Sequence, residues 1–519
     1  MKKRIFTLMI ALAAIGVMKA QARYGEDVLI KEYGSEVKTQ ISVADKGNIY
    51  VLASIENEFD FWVSYDEGAT YQLLKHYFGS PMYDMDMVVS GEDAGDIKIW
   101  FAIAYKNDEG HTLFFIMNLD AQGIEHQAKA INLGNVDVTS VAIATDYRSP
   151  GSDGSPFAIA VACAYHEYDD DELYIDRIGY FYSLDGGTSF SDNKVVYRKG
   201  DVEENEWVNG IDLSLGCQKG FTPQGRAGIV ATTHVGEDVM FFLDRYDFGL
   251  TASGPIQPIR LVGDYGSSDY AHPTFQMMND NAKQTSQYFF LIAAECYDQG
   301  YPGVEFFYPK EGFHEGVANP ESYFDWYGEF DIAGPDMAYD KTNHCFLLTY
   351  KEWFRNKLRY AMRNYGNISQ DLSTWYYPAG GEYANTDDLG SESVFVQPRV
   401  DINPAKTKAC FTWALCDQMS NTWYVYADTE WATEGMEECP MVANSLSLAP
   451  NPTHDKTVVK VEEIGSYIGS VYDMQGRKVM GFSFSGTEHD LELSGLPAGV
   501  YTVHLQSDAA KHVSKMVVE

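Results

Sequence analysis

Short runs of alternating apolar and polar residues, each followed by a denser apolar run, recur through the middle of this 519-residue chain. The alternating runs open near Ile41, Met85, Val138, Ile211, Phe275, Met337 and Val400. Their denser successors span 47–53, 97–104, 157–164, 227–232, 288–294, 345–350 and 409–414. Alternation with period two marks a strand with one buried face, and a short apolar run between turn residues marks a strand buried on both faces. The openings lie roughly 45–70 residues apart, at and above the lengths common for repeated supersecondary units. The pattern therefore predicts an all-β body over residues 23–438 built from about seven repeats. The Gly-, Ser- and Asp-rich stretches at 148–156 and 168–171 read as surface loops on it.

Two segments sharpen the repeat. Ser64-Tyr65-Asp66-Glu67-Gly68-Ala69-Thr70-Tyr71 and Ser183-Leu184-Asp185-Gly186-Gly187-Thr188-Ser189-Phe190 both fit S-x-D-x-G-x-[TS]-aromatic. In such a turn the carboxylate accepts nearby backbone N–H groups and the glycine supplies a positive φ. This motif resembles the Asp-box, or BNR repeat, of sialidase-like β-propellers, in which it pins the turn between two outer strands of a blade. The resemblance implies a β-propeller of about seven blades and assigns Ser64, Asp66, Gly68, Ser183, Asp185 and Gly187 a structural role. Ring closure also favours a propeller over an array of β-sandwiches, since it leaves only short, protected sheet edges.

Past a linker at 439–444 the character changes. Residues 445–519 contain Ala449-Pro450-Asn451-Pro452-Thr453, then Val471-Tyr472-Asp473-Met474-Gln475-Gly476-Arg477-Lys478-Val479, then Leu496-Pro497-Ala498-Gly499-Val500-Tyr501, and end at Lys515-Met516-Val517-Val518-Glu519. Gln475-Gly476 between apolar-alternating runs predicts a tight hairpin, and the other apolar runs predict several further short strands. Many short strands in a small module predict an Ig-like β-sandwich. In order and spacing the motifs resemble the C-terminal sorting domain of proteins exported by the type IX secretion system of Bacteroidetes. The resemblance implies recognition by that machinery, through positions that include Asn451, Pro452, Gly476, Pro497, Gly499, Tyr501 and Lys515. It also implies delivery across the outer membrane to the cell surface or beyond.

The N-terminus agrees with export. Lys2-Lys3-Arg4, an apolar stretch from Ile5 to Met18, and Ala20-Gln21-Ala22 form a signal peptide over residues 1–22, with cleavage expected between Ala22 and Arg23. No later apolar stretch is long enough for a transmembrane helix, so no membrane insertion is expected. The formal net charge of −37 excludes nucleic acid and anionic membrane as partners. Seven cysteines make an odd count. Cys163, Cys296, Cys345 and Cys410 each sit in an apolar run and read as small buried hydrophobes. Cys416 and Cys439 could pair, and no spacing suits zinc.

Chemistry is harder to place. The sialidase resemblance implies an arginine triad, a tyrosine nucleophile and an Arg-Ile-Pro motif before the first Asp-box. The mature chain before Ser64 holds only Arg23, and Arg226, Arg260 and Arg399 suggest no triad. No catalytic residue is therefore assigned, and a glycoside hydrolase with a pair of acids is the alternative. The expected function is non-catalytic recognition of a glycan, glycoprotein or surface partner. A structural or assembly role at the cell surface is a third reading. The propeller mouth is expected at the start of each blade's first strand, where Trp207, Asn209, Asp212, Asp269, Tyr270, His272, Asp336, Arg399 and Asp401 combine aromatic and hydrogen-bonding groups. Of these, Trp207, Asp212, Tyr270, His272, Asp336 and Arg399 form the candidate ligand set. No cofactor is expected. The run Asp169-Asp170-Asp171-Glu172 offers oxygens to calcium but lacks the interleaved pattern of a calcium loop, and reads as a solvated tip.

Overall fold

A computed structural model of the chain describes residues 27–44, 47–79, 82–90, 97–107, 109–146, 158–168, 174–202, 208–217, 225–233, 239–245, 259–261, 269–277, 290–298, 301–309, 324–330, 332–340, 345–352, 357–364, 393–395, 397–403, 408–431, 447–454, 456–473, 478–493, 495–506 and 511–518. These residues are strands and turns, with no helix among them. They fall into two compact units, Met1–Glu437 and Glu438–Glu519.

The first unit contains seven antiparallel sheets, here blades 1 to 7. Their innermost strands are Lys38–Val43, Met82–Ser90, Val136–Asp146, Val208–Cys217, Asp269–Met277, Ile332–Asp340 and Arg399–Asn403. Each opening position read from the sequence falls on one of these strands. In blades 1 to 5 the next three strands follow in chain order, and blade 6 has three described strands. Blade 7 is completed from the far end of the chain. Its outermost strand is Val28–Tyr33, paired antiparallel with Thr422–Trp431, so the two ends of the body are sewn together.

The alternation explains why the blades stack. In Ala158–Tyr168, the second strand of blade 3, Ala158, Ala160, Ala162 and Ala164 face a core shared with Ile211, Leu213 and Ile229 of blade 4. The intervening Ile159, Val161, Cys163 and Tyr165 face one shared with Trp100, Phe114 and Ile116 of blade 2. A single strand with period two thus feeds two inter-blade cores, which is why these runs carry no polar face. The same division continues round the ring. Tyr33, Ile41 and Val51 pack with Cys410, Ala414 and Trp423 where blade 7 meets blade 1, and Tyr360 of blade 6 meets Phe411 of blade 7 with ring centroids 5.1 Å apart.

A second set of contacts closes the ring on the axis. In every blade a side-chain oxygen of the innermost strand accepts a backbone N–H from the next blade. Ser42 accepts from Val89 at 3.0 Å, Asp86 from Ile143 at 2.9 Å, and Ser140 from Ile211 at 3.2 Å. Asp212 accepts from Phe275 at 2.6 Å and Thr274 from Met337 at 3.2 Å. Asp336 accepts from Val400 at 2.7 Å, and Asp401 returns to blade 1 by accepting from Val43 at 2.7 Å. Neighbouring inner strands splay too far to share a backbone ladder, so these side chains satisfy N–H groups that would otherwise be buried unpaired.

The two Asp-containing turns join the third and fourth strands of blades 1 and 3, and they are built alike. Ser64 Oγ donates to Asp66 Oδ1 at 2.8 Å and accepts from Gly68 N at 2.8 Å. Thr70 N and Oγ1 donate to the two oxygens of Asp66 at 2.9 and 2.6 Å. Ser183, Asp185, Gly187 and Ser189 repeat the arrangement with bonds of 2.7–2.8 Å. Burial opposes charge on both aspartates, but these bonds outweigh it and hold them below the usual carboxylate range. The glycines, at φ 92° and 86°, pack on the preceding blade. A Cβ on Gly68 would lie 2.2 Å from Thr429 Oγ1 of blade 7, and one on Gly187 2.0 Å from the Trp100 ring of blade 2. The turns are staples between blades.

The second unit is a five-stranded antiparallel sheet centred on a long hairpin, Lys456–Asp473 with Lys478–Glu492. Separate short strands were expected around Val458 and Val471. They lie instead on one 18-residue strand, bent where the register shifts between Lys460 and Gly465. The near half pairs with Ser447–Ala449 and the far half with Gly499–Gln506. Both halves share one core, with Val459 and Leu491 beside Val471, Tyr501 and Met516, which is the two-layer character of a small sandwich. Gly476 lies outside the described residues.

Candidate functional site

The seven innermost strands surround an axial channel of about 900 Å³. Its lining follows from the strand period: alternate side chains of each inner strand point to the axis while the others enter the inter-blade cores. The entrance is shaped by a repeated irregularity. The inner strands of blades 2 to 6 each carry a β-bulge near their start, at Met82/Asp84, Val138/Ser140, Val208/Gly210, Ala271/Thr274 and Ala333/Asp336. A bulge re-aims the side chains beside it, and here Asp84, Thr139, Asn209 and His272, beside four of the bulges, line the channel.

Carboxylates dominate the interior. Asp86, Asp212 and Asp401 each use Oδ1 to accept the N–H of the following residue, at 2.7–2.8 Å, and Oδ2 to reach the next blade. Burial pushes the carboxyls of Asp86 and Asp401 up to about 6. Burial, then repulsion from Asp86 and Asp336, pushes Asp212 up to about 8. Asp336 is raised by burial too, against the pull of Arg399. Arg399 Nη1 stands 3.5 Å from Asp336 Oδ1 and favours the charge on Asp86 as well. Arg399 is thus a counter-ion to the acids of the ring.

Of the residues expected at the mouth, the fold brings Asn209, Asp212, His272, Asp336, Arg399 and Asp401 into this one channel. Asn209 spends its amide inside the protein, donating to Tyr270 O at 2.7 Å and accepting from Thr232 Oγ1 at 2.8 Å. Tyr270 is turned into the blade, where its hydroxyl donates to Glu305 Oε2 at 2.6 Å. Its ring continues the alternation that places Ala271 on the opposite face, so it is a core residue. Trp207 lies outside the described residues, as do Ala22, Arg23, Cys439 and the acidic run 169–172. Arg226 and Arg260 are on the second and fourth strands of blade 4, while Arg399 is on the innermost strand of blade 7. Cys163, Cys296, Cys410 and Cys416 are buried thiols. Among the described residues no group of three or more His, Cys, Asp or Glu side chains converges on a metal position.

Sequence reasoning did not find the acceptors Ser42, Asp86, Ser140 and Thr274, or the buried Glu295. A signal was present. In Asp84-Met85-Asp86-Met87 and Ile211-Asp212-Leu213-Ser214-Leu215 polar groups alternate with apolar ones on strands already read as alternating. A buried carboxylate needs hydrogen-bond partners, and adjacent blades are the available source.

In the second unit the Asn451-Pro452 turn meets the last strand. Asn451 Oδ1 accepts from Val517 N at 2.8 Å, and Thr453 N donates to Val517 O at 2.9 Å. The Pro450–Pro452 turn thereby clamps the last strand, Lys511–Val518. Tyr501 OH donates to Pro497 O at 2.7 Å, and Gly499 opens the strand that carries Tyr501. Lys515 stands on the last strand opposite Thr502.

Comparison with known proteins agrees with this division. The family model of the secretion system C-terminal sorting domain matches residues 447–519. The second unit is therefore a secretion sorting domain, and the chain is addressed to type IX secretion. Among curated proteins none matches the sequence. Similar solved structures include prolyl oligopeptidase B from Galerina marginata, at 10% identity and a TM-score of 0.37, covering 91% of this chain and 55% of that one. The present chain thus spans little more than half of that enzyme. The six-bladed fucose-binding lectin of Aleuria aurantia is similar at 12% identity and a TM-score of 0.35, over 70% of this chain and 99% of the lectin. A polysaccharide lyase of family PL25, an ulvan lyase, is similar at 8% identity and a TM-score of 0.39, over 65% and 83% of the two chains. These likenesses carry no activity across. The fold stands on the strand pairing and inter-blade bonds above.

Proposed function

We propose that this protein is exported by type IX secretion to the cell surface or the medium, where its propeller recognises a glycan or glycoprotein at the axial channel without catalysis. The Ser64–Tyr71 and Ser183–Phe190 turns are read as Asp-boxes of a non-enzymatic member of that architecture, and no cofactor is required. One observation carries the reading. The ring carboxylates Asp86, Asp212, Asp336 and Asp401 are committed to neighbouring N–H groups, while the half-exposed imidazole of His272 and the guanidinium of Arg399 line the same channel. Bonding groups on a rigid concave frame are what a polyhydroxylated ligand needs. The −37 charge disfavours anionic polymers as targets.

A hydrolase reading draws on Asp212, whose carboxyl, pushed to about 8, would carry a proton at neutral pH as a general acid does. Against it, both Asp212 oxygens already accept backbone N–H groups, so proton donation to a substrate would break a blade-to-blade link. An array of glycans and glycoproteins, read for both retention and loss of terminal sugar, separates the two. Retention with intact sugars supports recognition, and sugar loss that disappears in Asp212→Asn supports hydrolysis. A blank array would favour a bacterial surface partner.

A further inference from the structure

Blades 5, 6 and 7 each carry a residue-proline pair just before or within the innermost strand, His272-Pro273, Gly334-Pro335 and Gln397-Pro398, of which His272, Pro273 and Gln397 line the channel. In blades 5 and 6 the pair is the extra length of a bulge, between Ala271 and Thr274 and between Ala333 and Asp336. Proline suits such a position because it brings no N–H that needs a ladder partner. In blades 5 and 6 the residue before it lies in the left-handed region, with φ 45° at His272 and 58° at Gly334. For glycine that conformation is free of strain, but for histidine it costs about 1–2 kcal/mol. A residue kept in a strained conformation where glycine would serve points to a use for its side chain.

The three side chains are disposed differently. Gly334 has none. Gln397 is tied back, its Nε2 donating to Pro335 O at 2.8 Å. His272 alone of the three sends a ring to the channel, with 51% of the side chain exposed. That ring is held from behind. Its Nδ1 lies 3.2 Å from Oε2 of Glu295, a residue of the second strand of blade 5 whose side chain is only 4% exposed. The same Oε2 accepts from Gly334 N at 2.6 Å, and Oε1 accepts from Tyr297 OH. Burial opposes the charge on Glu295, but the bonds from His272, Tyr297 and Gly334 outweigh it and hold the carboxyl below its ordinary range. The bulge of blade 6 is therefore part of the arrangement, since it frees the Gly334 N–H for Glu295.

We infer that His272 is the ligand-contacting group of the channel, held by Glu295 as the Nδ1–H tautomer so that its Nε2 lone pair accepts a hydrogen bond from a hydroxyl of a neutral, hydroxyl-rich ligand. The chemistry follows from the partner. An ionised carboxylate can only accept, so Nδ1 must donate in either charge state of the ring, and in the neutral ring Nε2 is then left as an acceptor. Glu295 is a positioning residue. The ligand class rests on the recognition function proposed above, whereas the tautomer does not.

The test has two arms on the full mature chain. In the first, 15N-histidine labelling at neutral pH reports the tautomer of each of the twelve histidines, and the resonance missing from His272→Asn identifies His272. Asparagine tolerates a positive φ, so this variant keeps the bulge. The Nδ1–H form is expected, with reversion toward Nε2–H in Glu295→Gln. An Nε2–H form in the unaltered protein, or no response to Glu295→Gln, overturns the inference. In the second arm, retention on neutral glycans is expected to fall roughly five- to tenfold in His272→Asn, the loss of one hydrogen bond, in protein that circular dichroism shows to be folded. Equal retention overturns the contact role. A protein that retains no glycan refutes the recognition reading and with it this ligand class, leaving the tautomer result to decide the role of Glu295.

Discussion

Replacing Gly187 by alanine isolates the contribution of the turn in blade 3 to holding two blades together. The new Cβ would lie 2.0, 2.6 and 2.9 Å from three atoms of the Trp100 ring. Trp100 is 1% exposed, within the core between blades 2 and 3, so the ring cannot swing away without disturbing Phe114 and Ile116 behind it. Two costs add. A non-glycine residue at φ 86° loses about 1–2 kcal/mol, and overpacking a close-packed core loses about 1–3 kcal/mol. The expected destabilisation is about 2–5 kcal/mol, measured by urea unfolding followed through tryptophan fluorescence. Gly134→Ala is the control, because Gly134 has φ 85° with no atom within 4 Å of the added Cβ, and should show the backbone cost alone. Equal losses in the two variants would refute the claim that the Gly187 turn is wedged against its neighbour.

Three further outcomes are expected. Because burial raises Asp212 to about 8 and Asp86 and Asp401 to about 6, the folded body holds protons that the unfolded chain has released. Their contribution is full below the unfolded carboxylate range and is lost as pH rises through 6 and then 8. The melting temperature should therefore fall from pH 5 to pH 8, and Asp212→Asn should flatten the part above pH 6; a rise over this window would contradict the ring chemistry. Lys408, 1% exposed, reaches Glu67 at 2.6 Å across the seam of blades 7 and 1, so Glu67→Gln, which takes the charge out of that bond, should cost about 1–2 kcal/mol in urea unfolding. Deleting residues 515–519 removes part of the strand that Asn451 and Thr453 clamp, and cell fractionation should find the protein retained in the periplasm.

Much of this architecture was legible because the physics that builds it is local. Every inner-strand opening was visible as alternation, since a strand buried on one side must alternate, and the second strands stood out because both faces of Ala158–Tyr168 are covered by neighbouring blades. The turns at Ser64 and Ser183 were legible for the same reason: all their bonds close within six residues. What escaped was non-local. The seam formed by Val28–Tyr33 joins residues almost 400 positions apart, and nothing near Val28 announces its partner. Asp212 looked like a ligand group because composition cannot show Phe275 N behind it. Glu295, two residues from Tyr297 in a run read as core, acquires a role only when the bulges at His272 and Gly334 come together. Bulges are invisible to a period-two reading because they interrupt the period on which it depends.

The central claim, that the axial channel recognises a glycan without cleaving it, is tested most directly by presenting the mature protein to an array of neutral glycans and measuring both retention and the integrity of the terminal sugars. Retention of a defined hydroxyl-rich structure, with its sugars intact and with binding lost in a folded Arg399→Ala, His272→Asn double variant, is the predicted result. Cleavage of the array, or retention that survives the double variant, would contradict it.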